Sequence, residues 1–313
     1  MTREEAEQLS AELRASYALV WRRIEEQLGL IEDQPQDWTP QKLRQFQKAV
    51  EQAMGSLDAA ARAWIQENLP SLYSASVVAT NQQLVAAGVE IAGGATAFRW
   101  TPPHQQAITA LANELYEDLL GATAHVSQTT KQLVRKLTKE TGLTGIRDVS
   151  HRQATGRKLR KTLESNAVSA VIYRNGSRHG LAEYSQMAIR STTGIAMNQA
   201  AINAGEAYDV EWFQCIDGPG CGWTSHGDGV TASGKIVTAK QAKAHPLSHP
   251  NCRRTFGPRP DLTSEAQAEE AEKEAIAELE ILQRSQVEQD RVRIAAQQRR
   301  ANRLAARERK LSA

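Results

Sequence analysis

The sequence predicts a mainly α-helical protein with a small α+β module, and three observations support this. Hydrophobic residues are 41% of the 313-residue chain but aromatic residues only 5%, and alanine, a strong helix former, carries much of that sum. Apolar residues recur at steps of three or four along the first 140 residues, as on one face of a helix. From Tyr208 to Phe213, large apolar and acidic residues alternate for most of the segment, which indicates a half-buried strand.

Charge and cysteine content exclude several classes of protein. The 38 basic and 36 acidic residues leave a formal net charge of +2, so the overall charge does not favour binding to nucleic acid or to a membrane surface. Three cysteines do not make a disulfide framework, and the polar start at Met1 is not a signal peptide, so we expect synthesis in a reducing cytoplasm. The sequence has no run of about 18 apolar residues, and no membrane span is expected.

The first region, residues 1–140, is expected to be a helical arm or bundle. Helix starts are predicted where a hydroxyl cap is followed by glutamate or proline, at Thr2, Thr39–Pro40 and Thr101–Pro102. Helix ends or breaks are predicted at glycine and proline, at Gly29 with the stretch Gln34–Asp37, Pro70, Gly93–Gly94 and Gly121. Each helix carries an apolar stripe, which must be buried either in an intramolecular bundle or against a larger assembly.

Two further regions are predicted to follow. In the second, residues 141–262, glycines separate short units, with helices over about 151–173 and 181–204, and the strand at Tyr208 leads Cys215 into a loop. The third, residues 263–313, has no proline or glycine. Its acidic first half and basic second half suit the dipole of one long C-terminal helix, whose apolar residues are too sparse for a self-sufficient coiled coil.

All three cysteines lie within 38 residues and close to histidines. The candidate ligands are Cys215, Cys221, His249 and Cys252. They form a C-x5-C pair and an H-x2-C pair, with 27 residues between the two pairs. Thiolate and imidazole groups are preferred zinc ligands, and two short-spaced pairs on two loops can supply a tetrahedron. The sequence therefore predicts a structural Cys3His zinc site in a knuckle-like strand and loop domain. Ordinary loop thiols and solvated histidines are the alternative.

Other histidines leave two alternatives open. His226 or His245 could replace His249 as a zinc ligand. Ser225, His226 and Asp228 together have the residue types of a hydrolase triad, although adjacent side chains point in different directions and triads normally assemble from distant segments. A protease centred on Ser225 and His226, or on a cysteine–histidine pair, is therefore the enzymatic alternative to a binding protein.

Basic residues concentrate in two segments. The first covers residues 152–161, and the second lies near the end of the chain and includes Arg299, Arg300, Arg303, Arg307, Arg309 and Lys310. Arginine neutralises phosphate charge without reading base sequence, so the second cluster is predicted to contact DNA. A solvated helix face is the alternative interpretation of both segments.

The segments around the cysteines resemble a known family. Asp217–His226 reads D-G-P-G-C-G-W-T-S-H and His245–Arg253 reads H-P-L-S-H-P-N-C-R. Together they are similar to the C-terminal signature of the bacteriophage Mu F-like minor head proteins, and the predicted helix Tyr184–Gly205 resembles the helix that precedes it. The resemblance covers residues 140–262. Many members carry a second cysteine two residues after the cysteine of the signature, where this chain has Arg254.

This resemblance implies a minor head protein of a tailed phage, present in few copies inside the capsid at the portal vertex. Such a protein assists head assembly and genome packaging or ejection. The implied partners are the portal protein, with the scaffold or major capsid protein as further candidates, and packaged double-stranded DNA through the basic tail. The alternatives are a capsid maturation protease and an accessory DNA-binding protein that uses the tail alone.

Overall fold

The computed structural model describes residues 3–33, 40–140, 170–172, 178–218 and 220–311. The helices are α1 (Arg3–Asp33), α2 (Pro40–Ala86), α3 (Pro102–Glu140), α4 (Leu181–Glu206), α5 (Ala239–Ala244) and α6 (Glu265–Leu311). The strands are β1 (Ala170–Ile172), β2 (Arg178–Gly180), β3 (Trp212–Ile216), β4 (Ile236–Thr238) and β5 (Thr255–Pro258). The mainly helical class with a small antiparallel sheet is confirmed. Among these helices none is both long and apolar enough to cross a membrane.

Helices α1 to α4 pack into a bundle around one apolar core. The fully buried side chains that α1, α2 and α3 contribute include Tyr17, Leu69, Leu72, Tyr73, Leu115 and Leu119. Helix α4 contributes Ile189, Ala196 and Ala200 to the same core. The apolar stripes of α1, α2 and α3 are therefore buried within the chain, and the small alanines of α4 allow its backbone to approach the other three helices closely.

Three of the predicted helix breaks are wrong, because Gly29 lies inside α1, Pro70 inside α2 and Gly121 inside α3. A proline inside a helix costs about 3 kcal/mol. Leu69 and Leu72 flank Pro70 and are both fully buried. Burial of each leucine contributes about 1.5–3 kcal/mol, which offsets the missing backbone hydrogen bond. Gly121 has open space around its Cα and costs the helix only about 1 kcal/mol relative to alanine.

Helix α2 ends earlier than predicted, at Ala86 rather than at Gly93–Gly94. Gly88 adopts a left-handed conformation with φ 89°. The backbone N–H of Gly88 donates to the carbonyl of Val85, and that of Val89 donates to the carbonyl of Leu84. These two bonds form a Schellman motif, which satisfies the last carbonyls of the helix and turns the chain out of it.

A buried polar network ties three helices of the bundle together. The Tyr73 hydroxyl of α2 accepts a hydrogen bond from Asn203 Nδ2 of α4 at 2.8 Å and lies 3.1 Å from His104 Nδ1 of α3. Burial raises the pKa of Tyr73 to about 12 and lowers the pKa of His104. Both side chains are therefore held in their neutral forms, which is the state a hydrogen-bonded core position requires.

The chain leaves α4 through a second Schellman motif, in which Asp209 takes the left-handed position with φ 58°. This turn delays the strand, which begins at Trp212 and not at Tyr208. As a result Cys215 lies inside β3 and not in the following loop, which corrects the prediction. Residues 170–172 form strand β1 where a helix was predicted, and residues 151–169 of that predicted helix lie outside the described residues.

The three-stranded sheet has β3 in the centre, with β4 and β5 antiparallel on either side. Phe213 and Cys215 share one face of β3 and pack in an apolar cluster with Leu84 and Ile202 of the bundle. Trp212 and Ile236 face the other way and pack against Ala268 and Ala271 in the first turns of α6. The sheet is thus placed between the bundle and the start of α6.

Beyond these first turns α6 leaves the protein body. Ala268, Ala271 and Ala275 are buried, and Glu272 accepts hydrogen bonds from the backbone N–H of Ile236 at 2.8 Å and from Lys235 Nζ at 3.2 Å. Farther along, the large apolar side chains are 55–66% exposed, namely Ile281, Leu282, Val287 and Ile294. A 47-residue helix is about 70 Å long, so most of α6 extends away from the sheet that anchors it.

Candidate metal centre

The first half of the candidate site is a folded loop between β3 and β4. Cys215 and Lys235 close its base, with the Cys215 N–H donating to the Lys235 carbonyl at 2.8 Å. Farther along the loop, the Ala232 N–H donates to the carbonyl of Cys221 at 3.0 Å, and the Trp223 N–H donates to the carbonyl of Val230 at 2.8 Å. These bonds fix the backbone at Cys221 and Trp223, so the Cys221 side chain has a fixed origin in the loop.

Helix α4 positions the second half, the loop that connects α5 to β5. The buried Asn198 amide donates to the carbonyls of Pro246 and Arg254 at 2.9 and 3.0 Å. Arg190 Nη1 donates to the side-chain oxygen of Asn251 at 2.8 Å, and the Ser191 hydroxyl donates to the Pro250 carbonyl. The helix and the H-P-N-C-R segment are therefore one packed unit, which holds His249 and Cys252 against the first loop.

Arg254 is the residue that joins the two loops. Its side chain and that of Asp217 are both 0% exposed, with Nε donating to Asp217 Oδ2 at 3.0 Å. Nη1 donates to the carbonyls of Trp223 and His245, each at 2.9 Å, and Nη2 to that of Gly222 at 2.8 Å. The guanidinium also lies 4.8 Å from the centre of the Trp223 ring. A single buried cation thus satisfies carbonyls from both loops.

Thiol, imidazole and carboxylate groups converge beside this cation in two overlapping sets. Cys221, His226 and His249 place their donor atoms within 4.8 Å of one another, and so do Asp217, Cys221 and Cys252. Cys221 Sγ lies 3.5 Å from His249 Nε2. The Cys252 thiol donates to the Asp217 carboxylate at 3.2 Å. These residues include the soft and borderline ligands that a zinc site uses.

Burial favours the neutral forms of two of the donors, Cys221 and His249. Burial raises the pKa of the Cys221 thiol, and the neighbouring Asp217 carboxylate adds to the effect. Burial and the nearby His226 lower the pKa of His249. A neutral imidazole can bind a metal directly, whereas each thiol must lose its proton, so metal binding at this site would release protons.

Cys215 stands apart from both sets of donors. Its side chain is fully buried in the apolar cluster that includes Phe213 and Phe256, and Phe256 of β5 is its strand partner. Burial raises the pKa of this thiol to about 12. Three of the four predicted ligands, Cys221, His249 and Cys252, therefore line the loops, and the fourth faces the core.

The residues of the enzymatic alternative have other contacts. The Asp228 carboxylate accepts hydrogen bonds from the backbone N–H and hydroxyl of Thr224, at 2.9 and 2.8 Å, and from the N–H of Val230 at 3.0 Å. These bonds lower the pKa of Asp228, and they are local to the loop segment 224–230.

His245 is the other histidine that could have replaced His249 as a zinc ligand. Its ring packs against that of Trp223, with 5.1 Å between the ring centres.

The predicted DNA contacts fall at the end of α6. The helix covers positions 299–310, but the side chains of Arg299, Arg300, Arg303, Arg307, Arg309 and Lys310 lie outside the part of the chain that the structure describes. The basic segment 152–161 also lies outside the described residues. DNA binding by either segment stays a prediction.

Sequence reasoning did not identify Arg254 and Asp217 as site residues. Arg254 was noted only as a departure from the family signature, and Asp217 only as a part of it. Their positions in the sequence could have indicated that they belong to the site, because each lies within four residues of a cysteine and their charges are opposite. Burial of the pair, which gives it its role, depends on the packing of both loops.

A comparison with protein families identifies the chain. The model of phage minor capsid protein 2 matches residues 14–217, about two thirds of the sequence. The chain belongs to the phage minor capsid protein 2 family. The match covers the bundle and β3, and it ends just before Cys221 and the H-P-N-C-R segment. No curated protein and no solved structure matches the chain significantly.

Family membership confirms the prediction of a phage minor capsid protein with a structural role in the head, and it makes the protein a component of the virion. The closer resemblance to Mu F-like proteins rests on residues 140–262 and stays a prediction. The comparisons give no support to the maturation protease.

Proposed function

We propose that this phage minor capsid protein acts inside the capsid at the portal vertex, where it assists head assembly and genome packaging or ejection by binding. The observation that carries the proposal is the exposed length of α6 on a protein of this family. The bundle helices bury their own apolar stripes, whereas Val287 and Ile294, which are seven residues apart and so lie on one face of α6, remain more than half exposed. Exposed apolar residues that share one face of a helix are typical of a protein contact.

The contact partner we propose for α6 is the portal protein, with scaffold or major capsid protein as alternatives. The sheet anchors the first turns of the helix through Glu272. The following turns are free to lie against a neighbouring subunit. Beyond them the arginine-rich end would approach packaged DNA, where its positive charge neutralises phosphates without sequence preference.

Zinc is the cofactor we propose for the loop site. Donor atoms of Cys221, His226 and His249 already lie within 4.8 Å of one another. The site sits between two loops that have little regular structure of their own, so a bound ion would stabilise their fold and perform no reaction.

The test of the portal contact is co-migration of the purified chain with assembled portal rings on size exclusion, with zinc measured in the same fractions. We expect stable co-migration and about one zinc per chain. A truncation after Glu280 keeps the buried turns of α6 and should abolish co-migration while zinc is retained. Binding that survives this truncation would contradict the role of α6.

DNA contact is tested with two matched pairs of adjacent arginines. Arg299→Gln with Arg300→Gln should reduce the slope of log affinity for DNA against log salt by about one for each phosphate that the protein no longer neutralises. The control, Arg22→Gln with Arg23→Gln, removes the same charge from exposed positions of α1. Equal effects of the two pairs would show that only net charge matters.

A further inference from the structure

We propose that zinc is bound by a Cys2His2 site made of Cys221, His226, His249 and Cys252, with Cys215 excluded from coordination. This inference rests on the zinc binding proposed above and specifies its ligands. It replaces the C-x5-C pair with Cys221 and His226, which are separated by four residues. The spacings C-x4-H and H-x2-C both fall within the range usual for zinc sites.

The positions of the donor atoms support this set. Cys221 belongs to both groups of converging donors, one with His226 and His249 and the other with Cys252. Zinc–sulfur and zinc–nitrogen bonds of about 2.3 and 2.0 Å place tetrahedral ligand atoms about 3.3–3.8 Å apart. Cys221 Sγ and His249 Nε2 already lie 3.5 Å apart. The rings of His226 and His249 meet edge to face with centres 4.9 Å apart, so a rotation of the exposed His226 brings its nitrogen to the ion.

Distance excludes Cys215, because its thiol belongs to neither of the two groups of donors that lie within 4.8 Å of one another. Cys215 and Phe213, two residues apart on β3, share a face and pack in the cluster that also contains Leu84 and Ile202 of the bundle. Both are fully buried in the apolar cluster. Moving the thiol out of this cluster into a metal site would lose that burial.

Asp217 is committed to Arg254 and does not serve as the fourth ligand. One carboxylate oxygen accepts from Arg254 Nε and the other from the backbone N–H of Gly218 at 2.7 Å. Moving the carboxylate to a metal would leave the guanidinium unpaired at a position with no solvent exposure, which is strongly unfavourable. Asp217 is therefore a positioning residue for Arg254 and Cys252.

Charge balance also favours two thiolates over three. Zinc with two thiolates and two neutral imidazoles has no net charge, and the buried Arg254–Asp217 pair beside it is neutral as well. A Cys3His site would leave one uncompensated negative charge in the same buried region. On binding, Cys221 and Cys252 each release one proton to solvent, and both sulfurs donate to the ion.

Cobalt substitution tests the ligand set on the full 313-residue chain. Co²⁺ added to the chelator-treated protein should give the d–d absorption of a tetrahedral site. Its thiolate-to-cobalt charge-transfer intensity should match two thiolates per ion. Cys215→Ala should leave this intensity unchanged, whereas Cys221→Ser should halve it or abolish binding. An intensity that matches three thiolates in the unmodified chain would overturn the proposal, and that result does not depend on how any variant folds.

A matched pair of variants tests whether His226 is a zinc ligand. His226→Ala should weaken zinc affinity by about 100-fold or more, and Ser225→Ala, a change at the neighbouring exposed position, should leave it unchanged. Equal affinity of both variants would overturn His226 as a ligand and indicate Asp217 instead. A chain that binds no zinc at all contradicts the cofactor proposed above, whereas one zinc held by other ligands contradicts only the set named here.

Discussion

Arg254 and Asp217 form an ion pair whose two side chains are both fully buried, with 3.0 Å between Nε and Oδ2. The pair lies where the loop after β3 meets the loop before β5, and Arg254 also donates to three backbone carbonyls there. The two loops are therefore joined by hydrogen bonds as well as by the proposed metal.

We expect Arg254→Ala to destabilise the protein by about 3–5 kcal/mol, because it leaves the Asp217 carboxylate buried without a partner. Arg253→Ala is the matched control, since Arg253 is exposed and adjacent, and it should change stability by no more than about 0.5 kcal/mol. Urea unfolding followed by circular dichroism measures both. Similar midpoints for the two variants would show that the pair contributes little.

Gly205→Ala should destabilise the contact between α4 and β3. A Cβ atom at Gly205 would lie 2.6 Å from the ring of Phe213, and this overlap is expected to cost about 1–3 kcal/mol. The control is Gly121→Ala in α3, where nothing lies within 4 Å, and that change should stabilise by about 0.5–1 kcal/mol. Thermal melting should thus move in opposite directions for the two variants. A rise in both melting temperatures would contradict the close approach of helix and strand.

Buried His104 should make stability depend on pH. Burial lowers its pKa below the ordinary value of 6.5, so below that pH the unfolded chain takes up a proton that the folded protein does not. Its contribution to stability is complete above about pH 6.5 and is lost as the pH falls towards the folded pKa.

The variant His104→Gln isolates this effect, because all other titrating groups contribute equally to both proteins. We expect the free energy of unfolding of the variant to fall less steeply than that of the wild type between about pH 6.5 and 5. Denaturant melts at several pH values, at one fixed zinc concentration, give the two slopes. Parallel slopes would mean that His104 is solvated in the folded protein.

Glu272 anchors α6 to the sheet, because its carboxylate accepts from the backbone N–H of Ile236. Glu272→Ala would leave that N–H without its partner, at a cost of about 1–3 kcal/mol, and should loosen the first turns of α6. Glu269→Ala removes the same charge from an exposed position of the helix. Hydrogen exchange of residues 265–275 should accelerate in the first variant alone. Equal protection in both would place the anchor in the buried alanines instead.

Several elements of the fold were predictable from neighbouring residues alone. The starts of α2 and α3 follow from Thr39–Pro40 and Thr101–Pro102, and the helix predicted from residue 181 forms as α4. The apolar period of three to four residues identifies the buried faces of α1 to α3. Such features depend on backbone sterics, capping and local spacing, which a short stretch of sequence contains.

Other features depended on packing between distant segments. Pro70 predicts the end of a helix, but α2 continues past it because the burial of Leu69 and Leu72 offsets the cost of the proline. Cys215 is near the other cysteines in sequence, yet its thiol packs in an apolar cluster and belongs to neither group of converging donors.

Local sequence patterns predict a mainly helical protein with a cluster of thiols and imidazoles near residue 220, and the family match identifies a phage minor capsid protein. Which of those groups share a site depends on tertiary packing. Cys221 and His249 are 28 positions apart, and they meet because buried Arg254 binds carbonyls of both loops at once. Sequence spacing reports local backbone geometry, whereas the position of a side chain between two loops depends on the packing that buries it.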